Sequence, residues 1–326
     1  MASTKQLSAL VTGANGFLGQ HLCELLLTHN WRVFALCRSH DKAQEINSSV
    51  KIIIGDINNC QAFQSQLPSN LDALFNTAAS TNTWFKNNNK QTITNIDGTK
   101  NLIKLAKDKH IKRFIHTSSV VAYGLHNQLI NINEDMPKSG ANSWVNYVKT
   151  KTLSELQVLT DESIDSVVLN PTHIIGPGDK HNWARLFQMI ATEKLPSIPN
   201  GAGSFVDVRD VAKAILSTFH LGKNGENYLL GGHNLSFKQF VSEVATQLDV
   251  KLTNTQLPTG LLMFIAKSKN LISRLTNKEP DITPESVALI SDLYTCDSAK
   301  AQVELGYKIS NFKTTIKDTL NDLFDV

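Results

Sequence analysis

Tyr147 stands four residues before Lys151 in the segment NYVKTK (146–151). Helical spacing puts both side chains on one face, a turn apart. A free phenol titrates near ~10 and is a poor proton donor or acceptor at neutral pH. An ammonium group beside it favours phenolate and lowers that value. The phenol then becomes a usable general acid or base next to a carbonyl or carbinol. A third group is needed to hydrogen-bond the reacting oxygen, and FIHTSSVVAYG (114–124) offers Ser118 and Ser119 at the end of an apolar run. A Tyr-xxx-Lys pair alone is common on solvated helix faces. Its weight here comes from what precedes it along the chain: a glycine loop, then the strand-end serines.

That loop is TGANGFLG (12–19), entered from the apolar run LSALVTG. Gly13, Gly16 and Gly19 permit a tight turn, close backbone approach to a pyrophosphate, and close packing of helix on strand. Helix amides and the helix dipole then favour the anion. Gly13, Asn15, Gly16, Phe17, Leu18 and Gly19 are the expected contacts to a dinucleotide. An acidic residue ending the second strand would bind the ribose 2′-hydroxyl of NAD. The sequence instead reads FALCRSHDKA, with Arg38 at that place, Lys42 close behind, and the first acid, Asp41, late. A guanidinium suits a 2′-phosphate through charge-assisted, bidentate bonds. NADP(H) is therefore expected over NAD(H), which stays as the alternative.

These residues need a scaffold that brings strand ends together. Apolar runs at 7–13, 31–37, 50–55, 71–76, 112–118 and 165–170 read as strands, and 16–30, 94–110 and 146–163 read as helices between them. Strands that are apolar throughout are buried on both faces. Their alternation with helices predicts an α/β fold: a Rossmann-type, doubly wound parallel sheet. The texture changes after residue 170, at PTHIIGPGDKHN. Residues 1–170 are read as the dinucleotide-binding domain. Residues 171–326 are read as mainly a smaller C-terminal substrate-binding lobe, with about 205–221 returning to the first domain.

Composition bounds the rest. Of 326 residues, 41% are apolar and 19% charged, with a net charge of +3. That permits a sizeable core and gives no sign of a nucleic-acid surface. The four cysteines, Cys23, Cys37, Cys60 and Cys296, lack metal-ligand spacing and read as reduced thiols, so no metal is expected. The start, MASTKQLSALVTG, lacks a basic leader pattern. No stretch reaches the ~18 apolar residues of a membrane span. A cytoplasmic protein is expected. The nearest approach to a span, 257–273, is interrupted by Lys267 and Lys269 and reads as a buried or surface-lying helix.

Taken together, TGANGFLG, GDI (55–57), NTAAS (76–80), NIDGTKNL (95–102), HTSSVVAYG, NYVKTK, NPTHIIGPG (170–178) and FVDVRDVA (205–212) resemble the extended short-chain dehydrogenase/reductase superfamily. The resemblance implies that Ser119 is the catalytic serine and Tyr147 the proton donor or acceptor. Lys151 would hold the nicotinamide ribose and lower the tyrosine pKa. It also implies that Asp56 and Ile57 lie beside adenine, and that Ala78 and Ala79 line the cofactor. Asn95 matches a family asparagine on the following helix, and Thr117 joins the cofactor residues. Pro171 and Thr172 would form the loop over the nicotinamide. A homodimer built on a four-helix bundle is implied too.

Two branches of that superfamily compete. YVKTKTLSE, Arg38 and Lys42 resemble the dihydroflavonol reductase branch, whose members act on small carbonyl or alcohol substrates. Nucleotide-sugar 4-epimerases with bound NAD carry a diphosphate-binding arginine at a place that is Gly203 here; Arg185 or Arg209 could compensate. A non-catalytic dinucleotide-sensing protein on the same fold is the further alternative, although such proteins often lose the tyrosine or lysine. Ser80, Ser119, Val120, Trp144 and His173 are the candidate substrate contacts. His116 and His173 also fit structural roles, Trp183 and Phe187 fit a core, and Leu261, Leu262, Phe264 and Ile265 fit either a pocket wall or packing.

Overall fold

The computed structural model describes residues 6–324 except 127, 182, 253 and 254. The first five residues, part of the leader reading above, lie outside that range. The strands are β1 (Ser8–Thr12), β2 (Arg32–Cys37), β3 (Lys51–Ile54), β4 (Ala73–Asn76), β5 (Arg113–Thr117), β6 (Ile130–Ile132), β7 (Ser166–Pro171), β8 (His173–Ile175), β9 (Ala202–Asp207), β10 (Asn227–Leu230), β11 (His233–Ser236) and β12 (Tyr294–Cys296). The helices are α1 (Phe17–Thr28), α2 (Asn88–Thr92), α3 (Gly98–Asp108), α4 (Asn146–Leu159), α5 (Ala184–Ala191), α6 (Val208–Leu221), α7 (Phe237–Leu248), α8 (Thr259–Thr276), α9 (Pro284–Ile290), α10 (Ala299–Leu305) and α11 (Phe312–Phe324).

Seven parallel strands form the main sheet in the order β10-β7-β5-β4-β1-β2-β3. All six strands expected from the apolar runs are in it; the seventh, β10, comes from ENYLLGG. Each strand is apolar on both sides because both faces are covered. On one face, Val11, Phe75 and Leu169 pack against Leu22 and Leu26 of α1 and Val211 and Ile215 of α6. On the other, Leu10, Leu74, Phe114 and Val168 meet Leu102 and Leu105 of α3 and Val158 of α4. The strand order reverses between β1 and β4, which opens a crevice at their carboxyl ends.

The second lobe is built on a small sheet, β11-β9-β8. Its core is strongly aromatic, with Phe187, Phe205, Phe237 and Phe240 wholly buried. Phe205 stacks on Phe240 at 4.3 Å between ring centres. Two very short segments join this lobe to the main sheet. Thr172 alone separates β7 from β8, and Gly231–Gly232 separates β10 from β11. The second segment is held by Ser298 Oγ and Ser204 Oγ, which accept from the Gly231 and Gly232 amides at 2.7 and 2.8 Å. Tyr307 donates to the Gly231 carbonyl at 2.8 Å.

Candidate active site

The glycine loop follows β1 and delivers the chain into α1. Gly13 has φ +67, a left-handed conformation that favours glycine. A β-carbon there would lie 2.7 Å from the Ala78 amide nitrogen, so the loop and the end of β4 touch backbone to backbone. Gly16 caps α1 without a side-chain oxygen, which leaves the first-turn amides directed to the crevice. Gly19 presses on the loop, and a β-carbon there would stand 2.1 Å from the Gly13 carbonyl oxygen. Gly19→Val is therefore expected to lower the melting temperature and abolish dinucleotide binding, checked by thermal denaturation and nucleotide titration.

Past β2, Arg38 is exposed and makes no ion pair among the described residues. Lys42 follows on a single 3₁₀ turn, also exposed. Asp56 caps the turn after β3, accepting from the Asn58 amide at 2.9 Å, with Ile57 buried behind it. Beyond β4, Ala78 is half-buried and Ala79 exposed. Asn95 fixes the next residue: the Ser80 amide donates to its Oδ1 at 2.7 Å, and its amide group donates to the Ser80 carbonyl at 3.0 Å. It also donates to Thr150 on α4 at 3.0 Å. Asn95 lies in a π-helical turn, Ile93–Asp97, between α2 and α3. Such turns recur at functional sites because they aim a side chain the α-helical register would misplace.

The serine, tyrosine and lysine converge. Ser119 caps the short turn after β5, and its hydroxyl is near enough to that of Tyr147 on α4 to bear on the phenol's acidity. One turn along α4, Lys151 is buried and donates to the Thr117 carbonyl at 2.7 Å. The electrostatics differ from the expectation of a phenol acidified by its lysine. Burial pushes Tyr147 above its ordinary value, with the Ser119 hydroxyl opposing. Burial also pulls Lys151 down to about 8, and the Glu155 charge acts against that shift. In both groups the loss of hydration outweighs what the neighbours give back.

Beneath them lies a polar network whose glutamate has a visible but unread sequence signal. Glu155, four residues after Lys151 and so on the same helix face, is wholly buried. It accepts from Ser118 Oγ at 2.5 Å and Asn170 Nδ2 at 2.6 Å, and pairs with Lys138 at 2.9 Å. Asn170 also donates to the Ser119 carbonyl at 3.1 Å. Lys138 sits over the Tyr123 ring, 3.5 Å from its centre. His116 is buried, and burial with the Lys151 charge holds it well below its usual value, hence neutral. Thr117 Oγ1 is buried without a hydrogen-bond partner.

Pro171 and Thr172 end β7, with the Thr172 amide donating to the Leu230 carbonyl at 3.2 Å. The candidate substrate residues divide. His173 opens the second lobe within an aromatic cluster, its ring 5.1 Å from those of Trp183 and Phe205 and 5.6 Å from Tyr294. Burial holds it near 4, so it is neutral. Tyr294, which sequence reasoning missed, is close enough to Tyr147 to feel its charge. Val120 instead packs with Tyr123, Ile132 and Leu229, because the turn after Ser119 directs it into the core. Trp144 is 60% exposed and makes no ring contact among the described residues. Among the described residues no cluster of metal-ligating side chains occurs, and no helix is long and apolar enough to cross a membrane.

Gly203 lies on β9 directly beneath this cluster. A β-carbon there would be 2.5 Å from His173 Nε2 and 3.3 Å from Tyr294 Cζ. Arg209 is committed to Asp207 and Asp318 at 2.6 and 2.7 Å. Arg185 is exposed and donates to the Asp281 carbonyl at 3.2 Å.

The loop, the unpaired Arg38 and the unpartnered Thr117 hydroxyl fit a dinucleotide. A model of the NAD dependent epimerase/dehydratase family matches residues 9–231. The chain is 26% identical over 320 residues to a Synechocystis sp. protein assigned as a dihydroflavonol 4-reductase, covering 95% of this chain and 93% of that one. It is also 26% identical over 323 residues to sterol demethylase protein B of Methylococcus capsulatus, covering 96% and 97%. Among solved structures, gox2253 superposes with a TM-score of 0.82 at 26% identity over 98% of both chains. UDP-glucuronic acid 4-epimerase from Bacillus cereus, solved with NAD, shares the fold at a TM-score of 0.76 and 21% identity, covering 97% of this chain and 96% of that one.

Proposed function

Because the chain belongs to the NAD-dependent epimerase/dehydratase family and is an NAD(P)-dependent oxidoreductase of the extended short-chain dehydrogenase/reductase type, we infer that it reduces a bulky apolar ketone or aldehyde to the alcohol, or runs the reverse. NADP(H) is the preferred carrier in this reading. When bound, the nicotinamide supplies or takes up hydride. Tyr147 gives its proton to the carbonyl oxygen, and Ser119 donates a hydrogen bond that polarises the same oxygen. Lys151, held by the Thr117 carbonyl, keeps a cation beside the phenol.

The observation that carries the substrate class is the aromatic cover over Gly203. An arginine at that place, the diphosphate partner expected for a nucleotide-sugar enzyme, would collide with His173 and Tyr294. Arg209 is already neutralised by two aspartates. A diphosphate would thus lose its charge-assisted partners, whereas an apolar group would meet aromatic faces. Initial rates with NADPH across aryl and long-chain carbonyls, set beside UDP-sugars with NAD, test this. Turnover of the apolar carbonyls is expected; epimerisation of a UDP-sugar in its place overturns the assignment.

The cofactor preference rests on Arg38. Removing one hydrogen bond to a charged group costs about 1.5–3 kcal/mol. Arg38→Ala is therefore expected to weaken NADPH binding about 10–100-fold while NADH binding barely changes, read by titrating both nucleotides.

A further inference from the structure

Helix α8 carries a surface that neither the crevice nor the lobe core uses. Leu262, Ala266 and Ser273 face inward and are buried. At ~100° per residue, Leu261, Phe264, Leu271, Ile272 and Leu275 fall together on the opposite side. Their exposure runs from 46% at Leu261 to 87% at Leu275. A helix packed on a globular core normally turns polar side chains outward. A contiguous exposed apolar stripe marks an interaction site.

The stripe cannot rotate inward, because the other side is fastened. Trp84 Nε1 donates to Ser273 Oγ at 3.3 Å, and Lys86 donates to Asn277 Oδ1 at 2.6 Å. Arg274 lies 5.2 Å over the Phe85 ring, and Lys269 pairs with Asp281 at 2.7 Å. The gripped segment, 84–86, follows closely on Ser80, so α8 is fastened close to the crevice loop while the stripe faces away from it.

Charge selects the occupant. Residues 259–278 contain Lys267, Lys269, Arg274 and Lys278 and no acid. Lys267 and Lys278 are exposed without an ion-pair partner among the described residues. A second copy docked through the same face would set these cations against their own equivalents, which repel. An anionic bilayer surface offers phosphates to the cations and an acyl boundary to the leucines. We propose that α8 is an interfacial helix that docks this protein on anionic lipid bilayers. The surface acts independently of the reaction assigned above.

Flotation of the whole chain with vesicles of phosphatidylcholine, with and without phosphatidylserine, tests it. Flotation is expected only with the anionic vesicles and should fade as salt rises. A double variant, Leu271→Asp with Leu275→Asp, should fold normally by thermal melt, since both side chains are exposed, and should partition about tenfold less or weaker still. Lys267→Glu with Lys278→Glu should remove the preference for phosphatidylserine. Absence of flotation overturns the proposal, as does unchanged partition of the aspartate variant. A wild-type dimer that the aspartate variant converts to a monomer also overturns it, by assigning the stripe to a second copy.

Discussion

Tyr147→Phe gives a folded protein that still binds dinucleotide and turns over its carbonyl substrate roughly 10²–10⁴-fold more slowly, the range expected for loss of a positioned general acid. The change removes one hydroxyl and, with it, at most one neutral hydrogen bond to Ser119. A neutral hydrogen bond is worth about 1 kcal/mol net, so stability should hardly move. KM should stay near the original value, because the missing interaction forms chiefly in the transition state. Single-turnover rates beside nucleotide titration separate the two effects. Full activity in the phenylalanine variant would remove Tyr147 as the proton donor. The pH profile is a second reading of the same site. Burial raises Tyr147, so the phenol keeps its proton through neutral pH. Lys151 is held down to about 8, so its ammonium is present below that value and lost above it. For reduction, kcat/KM should be level near neutrality and fall above about pH 8.

Glu155→Gln is expected to cost more stability than any other change to these residues. The glutamate is wholly buried and balances Lys138, which is itself nearly inaccessible. Breaking a buried pair by removing one partner typically costs about 3–5 kcal/mol, because the other charge stays buried. The melting temperature should fall by roughly 5–15 °C. The Ser118 and Asn170 bonds also weaken, and Asn170 holds the Ser119 carbonyl. A kinetic consequence separates positioning from mere stability. The Glu155 charge raises Lys151, so its removal should shift the alkaline limb of kcat/KM to lower pH. A variant that melts lower but keeps the same alkaline limb would leave Glu155 a purely structural residue. The sign for folding is opposite. Burying an ammonium penalises the native state below about pH 8, and that penalty is relieved as pH rises towards the ordinary lysine range.

Local chemistry was legible in the sequence; long-range convergence was not. The six expected strands announced themselves because two-sided burial demands unbroken apolar runs, and Gly13 because its left-handed turn favours glycine. Strand β10 is no shorter than β3 or β4, but nothing local in ENYLLGG places it beside β7 in the main sheet. The cover over Gly203 gathers His173 from β8 and Tyr294 from β12, residues whose separation along the chain hides their meeting. The raised phenol depends on how much of Tyr147 is buried, and spacing says nothing about that. The segment 261–265 read equally well as pocket wall or packing. The structure buries Leu262 and leaves Leu261 and Phe264 outside, since both sides of α8 are apolar and composition cannot tell them apart.

β7 enters the second lobe through a single threonine and β10 through a pair of glycines, side by side because β7 and β10 are neighbours, and β9 returns straight into α6. Hinged enzymes open by spreading rotation over a few loop residues. Thr172 is held by the Leu230 carbonyl, and the glycine amides are tied to Ser298, ahead of α10, and to Ser204 on β9, so the backbone at both joints is already engaged. Rotation of one lobe against the other would have to break those bonds, so the shape of an incoming molecule is expected to be tested by side chains and surface loops.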